Sequence, residues 1–211
     1  MSDRPRRLVV VTGTGTEVGK TWFAAATLAA LRARGVRVAA RKPVQSFEPA
    51  AAGPTDADVL ADATGEGPDA VCPPHRSLGT PMAPPMACDA LGLPPFTVAE
   101  LAAEIVWPPG LDVGLVEGVG GPRSPLASDG DTVDLVEMVD PQTVVVVADA
   151  GLGAINAVLL SVAPFDGRAV VVALNRFDEG DDLHRRNRAW LTGPARLDVV
   201  ADPEALAGRL G

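Results

Sequence analysis

Residues 8–22 read LVVVTGTGTEVGKTW, and the architecture turns on how this stretch folds. An apolar run, Leu8–Thr12, enters a glycine-rich turn, and the alanine-rich run Trp22–Arg34 follows and stops at Gly35. The first reads as a strand covered on both faces. The second reads as a helix with a glycine at its C-terminal end. Between them, glycines let the backbone curl so that successive N–H groups face an anion, and the positive end of the helix adds its dipole. The common phosphate loop has four residues between its first glycine and its Gly-Lys pair. Here five residues, Thr14 to Val18, separate Gly13 from Gly19, and one is the acid Glu17. A strand before and a helix after distinguish such a loop from a chance cluster of glycines. Lys20 is placed to reach the β- and γ-phosphates and the Thr21 hydroxyl to ligate Mg²⁺.

Similar apolar runs recur at Val36–Ala40, Val113–Val116, Thr143–Ala148, Ala169–Leu174 and Arg196–Val200. Helical stretches are expected at Val98–Val106, Ile155–Val162 and Pro203–Leu210, with a short one at Asp56–Ala63. Alternating strand and helix predicts an α/β fold, three layers with a mostly parallel central sheet. The stretch Pro43–Pro95 carries more than half of the 20 prolines. Lacking a periodic apolar pattern, it is expected to be an ordered loop excursion and not a second domain.

At 211 residues the chain is expected to form one domain spanning residues 1–211. Its residues are 47% hydrophobic and 21% charged, the composition of a globular protein. No apolar run reaches the roughly 18–20 residues of a membrane helix, and the apolar run after the basic N-terminus is too short for a secretory signal. A cytoplasmic location is therefore expected. A net charge of −9 argues against nucleic-acid binding. Cys72 and Cys88 show no metal-type spacing and read as free thiols. His75 and His184 read as solvated loop residues.

Four further segments carry chemistry. In AARKPVQS (residues 39–46), Lys42 ends a strand, and Pro43 keeps it extended at the sheet's carboxyl edge, where ligands bind in open α/β sheets. There a lysine neutralises charge in phosphoryl transfer, and Ser46 lies close enough to hydrogen-bond a substrate. In GLVEGVGGP (residues 114–122), Glu117 ends a strand before Gly118, Gly120 and Gly121, the usual place for an acid that holds Mg²⁺. Asp58 in PTDADVL is a candidate second carboxylate, with Asp56 its alternative; helix capping is the plainer role for either. In ADAGLGAIN (residues 148–156), the Gly151-Leu152-Gly153 turn opens a helix and offers a second anion site. Asn175, ending VVVALN, has an amide able to pair with an adenine edge.

Together these segments resemble the dethiobiotin synthetase family, whose proteins share the phosphate-loop NTPase fold. The matching pieces are GTGTEVGKT, KPVQS, the Asp56-Ala57-Asp58 acids, VEGVGGPRSPL, GLGAIN and the Leu174-Asn175 step, in the family's order from residue 8 to about 176. The resemblance implies ATP-dependent carboxylation and ring closure of 7,8-diaminononanoate with CO₂, through a carbamate and a carbamic–phosphoric anhydride. It implies that Lys20 and Lys42 act on the transferring phosphoryl group and the carbamate, and that Thr21, Asp58 and Glu117 hold Mg²⁺. It places Glu17, Val18, Gly19, Lys20, Thr21, Trp22, Gly118, Val119, Gly120, Asn175 and Arg176 around ATP. Thr16 and Ser46 would contact the diamine. Gly151, Leu152, Gly153 and Asn156 would meet the substrate carboxylate across a homodimer interface.

The chain departs from the family pattern at three places. Gly151 stands where some relatives have lysine, Gly15 where an aspartate often precedes Thr16, and RLDVVAD (residues 196–202) replaces a late Gly-x-Ile-Pro segment of the nucleotide pocket. Rival readings are a partitioning-type ATPase switch of the same loop class, an amide-forming relative of cobalamin synthesis and an inactive nucleotide binder. Against the first stand the acid Glu17 in the loop and the absence of a basic or amphipathic element. Against the last, Lys20, Thr21, Lys42 and Glu117 are all present.

Overall fold

The computed structural model describes residues 4–211, and the expected alternation of strand and helix runs through them. Met1–Asp3, part of the basic N-terminus, lie outside the described residues. The strands are β1 (Arg7–Gly13), β2 (Val38–Arg41), β3 (Gln45–Ser46), β4 (Ser77–Leu78), β5 (Val113–Glu117), β6 (Pro125–Ala127), β7 (Gly130–Asp131), β8 (Thr143–Asp149), β9 (Val170–Asn175) and β10 (Asp198–Val200). The helices are α1 (Lys20–Ala33), α2 (Asp56–Thr64), α3 (Pro68–Val71), α4 (Pro84–Leu91), α5 (Val98–Glu104), α6 (Thr132–Val139), α7 (Ala154–Val162), α8 (Asp182–Thr192) and α9 (Pro203–Leu210).

Six strands form one sheet in the order β10-β9-β8-β1-β5-β2, and every pairing within it is parallel. Parallel strands need helical crossovers that cover both faces, which is why their residues are apolar at successive positions. Val9 and Val11 of β1 face a cluster containing Phe23, Leu28 and Leu31 of α1, Leu60 of α2 and Leu206 of α9. Leu8 and Val10 face the opposite layer, with Leu101 of α5 and Val136 of α6. Val9, Val10 and Val144–Val147 are fully buried, and each such side chain contributes roughly 1.5–3 kcal/mol by leaving water.

The excursion is more structured than its prolines suggested. It contains α2, α3, α4 and the short β3–β4 pair. Ala57, Leu60 and Val71 enter the cluster beneath α1, while Ala87 and Cys88 of α4 enter the opposite one. Helices α6 and α8 also had no counterpart in the sequence reading. His184 lies on α8, where its Nδ1 accepts a hydrogen bond from the Asp178 N–H (3.0 Å), so it is not a solvated loop residue. His75 is exposed, with its Nε2 3.3 Å from Glu104. Both cysteines are free and buried. No helix among the described residues is long and apolar enough to cross a membrane.

The chain leaves β1 toward β2 and β5 on one side and runs to β8, β9 and β10 on the other. The carboxyl end of β1 is thus a topological switch point, the place where open α/β sheets form a ligand crevice.

Candidate active site

The loop after β1 delivers residues 14–19 to that crevice. Gly19 occupies the N-cap of α1 at φ 87° without a side-chain cap. The first N–H to pair back into the helix belongs to Phe23, which reaches Gly19 O at 3.0 Å. The first turn of α1 is therefore an anion cradle of free N–H groups. Gly19 has a second constraint: a Cβ there would fall 2.1 Å from Asn175 Nδ2.

Five side chains converge beside this cradle. Lys42, following β2, places Nζ 2.6 Å from Glu117 Oε1, 2.8 Å from Asp56 Oδ2 and 3.1 Å from Gly118 O. The Thr21 hydroxyl lies 2.8 Å from both Asp56 Oδ1 and Glu117 Oε1. Lys20 is buried and folds back so that Nζ donates to Gly15 O at 2.9 Å. Lys20, Thr21, Lys42 and Asp56 border a cleft of about 590 Å³ that also includes Thr16, Glu17, Gly19, Ser46, Val119, Gly120 and Ser124, with Glu117 buried behind them. Gly120 sits at φ 54° and packs close to Ser124, whose Oγ a Cβ would meet at 2.3 Å.

The electrostatics follow from burial and pairing. Burial alone would depress the Lys42 ammonium, but Glu117 and Asp56 more than offset it, and its pKa lies above the ordinary lysine value. Lys20 shifts the other way: burial, and then the charge of Lys42, lower it, against the opposing pull of Glu117 and Asp56. Burial would raise the Asp56 carboxyl, yet Lys42 and the Thr21 hydroxyl hold it below the usual range.

Asp58, expected as a metal ligand, is not in the cluster. Its carboxylate accepts from the Thr55 N–H (2.9 Å) and hydroxyl (2.7 Å), closing a capping box at the start of α2. The reason is helical geometry. Two residues along a helix turn a side chain through about 200°, so Asp56 and Asp58 cannot share a face. Asp56, the weighed alternative, takes the position.

The donor set suits a hard divalent cation. Among the described residues no group of three or more His, Cys, Asp or Glu could hold a metal, so an all-protein cage is lacking. Thr21, Asp56 and Glu117 supply the few oxygens Mg²⁺ uses when substrate phosphates complete its shell. Two observations support the fit. The Thr21 hydroxyl has one proton for two carboxylates, and the buried Glu117 Oε2 has no hydrogen-bond partner.

Asn175 and Arg176, expected against the nucleotide, brace the loop. Asn175 Nδ2 donates to Val18 O at 2.9 Å. Arg176 donates to Glu17 O at 3.0 Å and to Asp149 Oδ2 at 2.8 Å. Both Glu17 (φ 61°) and Arg176 (φ 54°) adopt the left-handed region. Behind them opens a second cleft of about 680 Å³, lined by Gly19, Trp22, Phe23, Asn175, Phe177, Asp202 and Pro203. The unmatched segment at residues 196–202 therefore ends in one wall of this cleft. Trp22 is 59% exposed on its rim.

The residues 151–156 stand apart. None of Gly151, Leu152, Gly153 and Asn156 lines the phosphate-loop cleft. The Gly151 N–H, one expected anion donor, already pairs with Asp149 Oδ1 at 2.9 Å. Residues that the sequence reading missed are Ser124 and the Pro81–Pro84 wall of the cleft. Ser124 lies within VEGVGGPRSPL but was given no role there, and the Pro81–Pro84 wall belongs to no motif with a chemical signal.

A parallel sheet with a glycine loop at its switch point, a lysine and a hydroxyl after the loop and an acid ending the adjacent strand define a phosphate-loop nucleotide-binding protein. A family model described as an AAA domain matches residues 7–200. The chain is 37% identical over 210 residues to the ATP-dependent dethiobiotin synthetase BioD of Rhodococcus jostii (strain RHA1), covering 96% of this chain and 88% of that one. It belongs to the dethiobiotin synthetase family. Two solved structures share the fold. They are a cobyrinic acid a,c-diamide synthase from Mycobacterium smegmatis with bound ATP analogue and magnesium (TM-score 0.56, 16% identity, 96% of this chain and 91% of that one) and the septum site-determining protein MinD from Pyrococcus horikoshii OT3 with Mg-ADP (TM-score 0.52, 16% identity, 92% and 79%).

Proposed function

We propose that this chain is a cyclo-ligase that converts 7,8-diaminononanoate, CO₂ and ATP into dethiobiotin, ADP and phosphate. The observation that carries the reading is the Lys42–Glu117–Asp56–Thr21 cluster set against an anion cradle, in a chain of this family. Substrate amine and CO₂ combine to a carbamate with loss of a proton. A carbamate oxygen attacks the γ-phosphorus as the bond to ADP breaks, and the second amine then attacks the carbonyl carbon and expels phosphate.

The chain's residues divide these tasks. The first turn of α1 holds phosphate oxygens through free N–H groups. Lys20 swings from Gly15 O onto the phosphates, and Lys42 neutralises charge between carbamate and γ-phosphate. Thr21, Asp56 and Glu117 would hold Mg²⁺, which supplies charge neutralisation on the phosphates. Thr16 and Ser46, which line the same cleft, contact the diamine. The second cleft is the proposed seat of the base.

ATP as co-substrate supports a cytoplasmic location. Exposed Leu152 and Leu160 beside the residue 151–156 turn support the homodimer that the resemblance implies. A single synthetase domain is supported by the entry of α2 and α4 into the same apolar clusters as the sheet.

Incubating the protein with the diamine, bicarbonate and MgATP and measuring the ureido product by mass tests the reading. Product that depends on all three is expected. Absence of product, with ATP turnover indifferent to the diamine, refutes it.

A further inference from the structure

The Lys42 ammonium is fully engaged. Its three protons meet three acceptors, Glu117 Oε1, Asp56 Oδ2 and Gly118 O, at 2.6, 2.8 and 3.1 Å. The side chain is 2% exposed and Glu117 is completely buried, so neither exchanges its partner for water. Glu117 Oε1 also accepts from the Thr21 hydroxyl at 2.8 Å. Both carboxylates that suit a divalent cation are thus already bonded to Lys42, each through one oxygen.

We propose that Lys42 is an internal counter-ion that keeps divalent metal out of the nucleotide-free site, so that metal enters only together with nucleotide phosphates. A cation bound by Thr21, Asp56 and Glu117, even through the Glu117 Oε2 and Asp56 Oδ1 that Lys42 does not bond, must share both carboxylates with the ammonium and face its positive charge across them. Like charges in a buried place repel strongly, and a buried ammonium stripped of its carboxylate is costly. Phosphate oxygens remove the conflict by giving Lys42 a new partner at the moment the carboxylates turn to the metal. The same displacement frees the ammonium for the reacting group, since a lysine with all three protons bound has none to offer. Metal entry and delivery of Lys42 are one event. The inference rests on the reading of the site as a metal–nucleotide site, but it does not depend on which substrate is carboxylated.

The test uses Mn²⁺ as the probe, followed by electron paramagnetic resonance, on the full-length nucleotide-free protein. Wild type should show no bound Mn²⁺ below millimolar concentration. Lys42→Met, which leaves the two carboxylates without their counter-ion, should bind it at least tenfold more tightly, and Asp56→Asn in that background should abolish the gain. Mn²⁺ alone should raise the melting temperature of Lys42→Met and not that of wild type, because only a ligand of the folded state stabilises it. Should Lys42→Met fail to fold, Lys42→Gln carries the comparison, and the wild-type titration is decisive by itself. Micromolar Mn²⁺ binding by nucleotide-free wild type, or equal affinity in wild type and the Lys42 variant, overturns the proposal. Neither readout involves turnover, so a failure to make dethiobiotin leaves the outcome interpretable.

Discussion

Asp56 and Asp58 lie two residues apart at the start of α2, and replacing them singly should produce opposite phenotypes. Asp58 closes the capping box with Thr55. Losing such a cap costs about 1 kcal/mol, which for a domain of this size lowers the melting temperature by about 2–4 °C. Its carboxylate touches nothing in the cleft, so Asp58→Ala should retain wild-type kcat and wild-type dependence on Mg²⁺. Asp56 instead shares Lys42 with Glu117 and accepts from Thr21. A hydrogen bond to a charged group contributes about 1.5–3 kcal/mol, so Asp56→Asn should lose roughly ten- to a hundredfold in turnover or apparent Mg²⁺ affinity. The assay pairs thermal melts with initial rates across a MgCl₂ series. The reasoning is refuted if Asp58→Ala cripples turnover at unchanged melting temperature while Asp56→Asn keeps the wild-type Mg²⁺ curve.

Other perturbations probe the frame around the site. Gly19→Ala forces an alanine to φ 87° and into Asn175; with about 1–2 kcal/mol for the backbone and about 1 kcal/mol for the broken Asn175–Val18 bond, nucleotide affinity measured by calorimetry should fall at least tenfold. Arg76 donates to both Glu104 oxygens at 2.6 and 2.9 Å and holds that carboxyl below its usual range. With the folded value depressed, the stabilisation is complete above the unfolded value of about 4.3 and is lost as pH falls through the lower folded value. Melting temperatures of wild type and Glu104→Gln should therefore differ at pH 7 and converge in acid; a constant gap would remove the pair from the account. Burial pushes the Cys72 thiol up to about 12, so disulfide reagents at pH 8 should leave it unmodified until denaturant is added, as mass mapping of labelled peptides will show.

Much of the site was legible because its chemistry lies in contiguous motifs. The phosphate loop, Lys42 and Glu117 are each announced by a strand ending in a distinctive residue, and all six strands of the sheet follow from short apolar runs. What escaped has physical causes. Helix α8, DLHRRNRAWLT, buries only Asn187 and Leu191, too little apolar surface for a periodic signal. Helix α4 opens with Pro84 and Pro85, which read as loop residues but suit the first helical turn. The choice between Asp56 and Asp58 depends on which way α2 faces. That in turn is set by Leu60 and Ala61 packing beneath α1, a tertiary fact with no local trace. Asn175 has an amide that suits a base, yet its proximity to Val18 exists only once β9 lies two strands from β1.

That proximity ties together two jobs usually treated as independent. Asn175 and Arg176 grip the phosphate loop through Val18 and Glu17 while the same Asn175 forms part of the wall of the second cleft. The floor of one compartment is the hinge pin of the other. A nucleotide whose base seats badly would then shift the loop that aims its phosphates, and the penalty would be read in the rate of the chemical step as well as in binding.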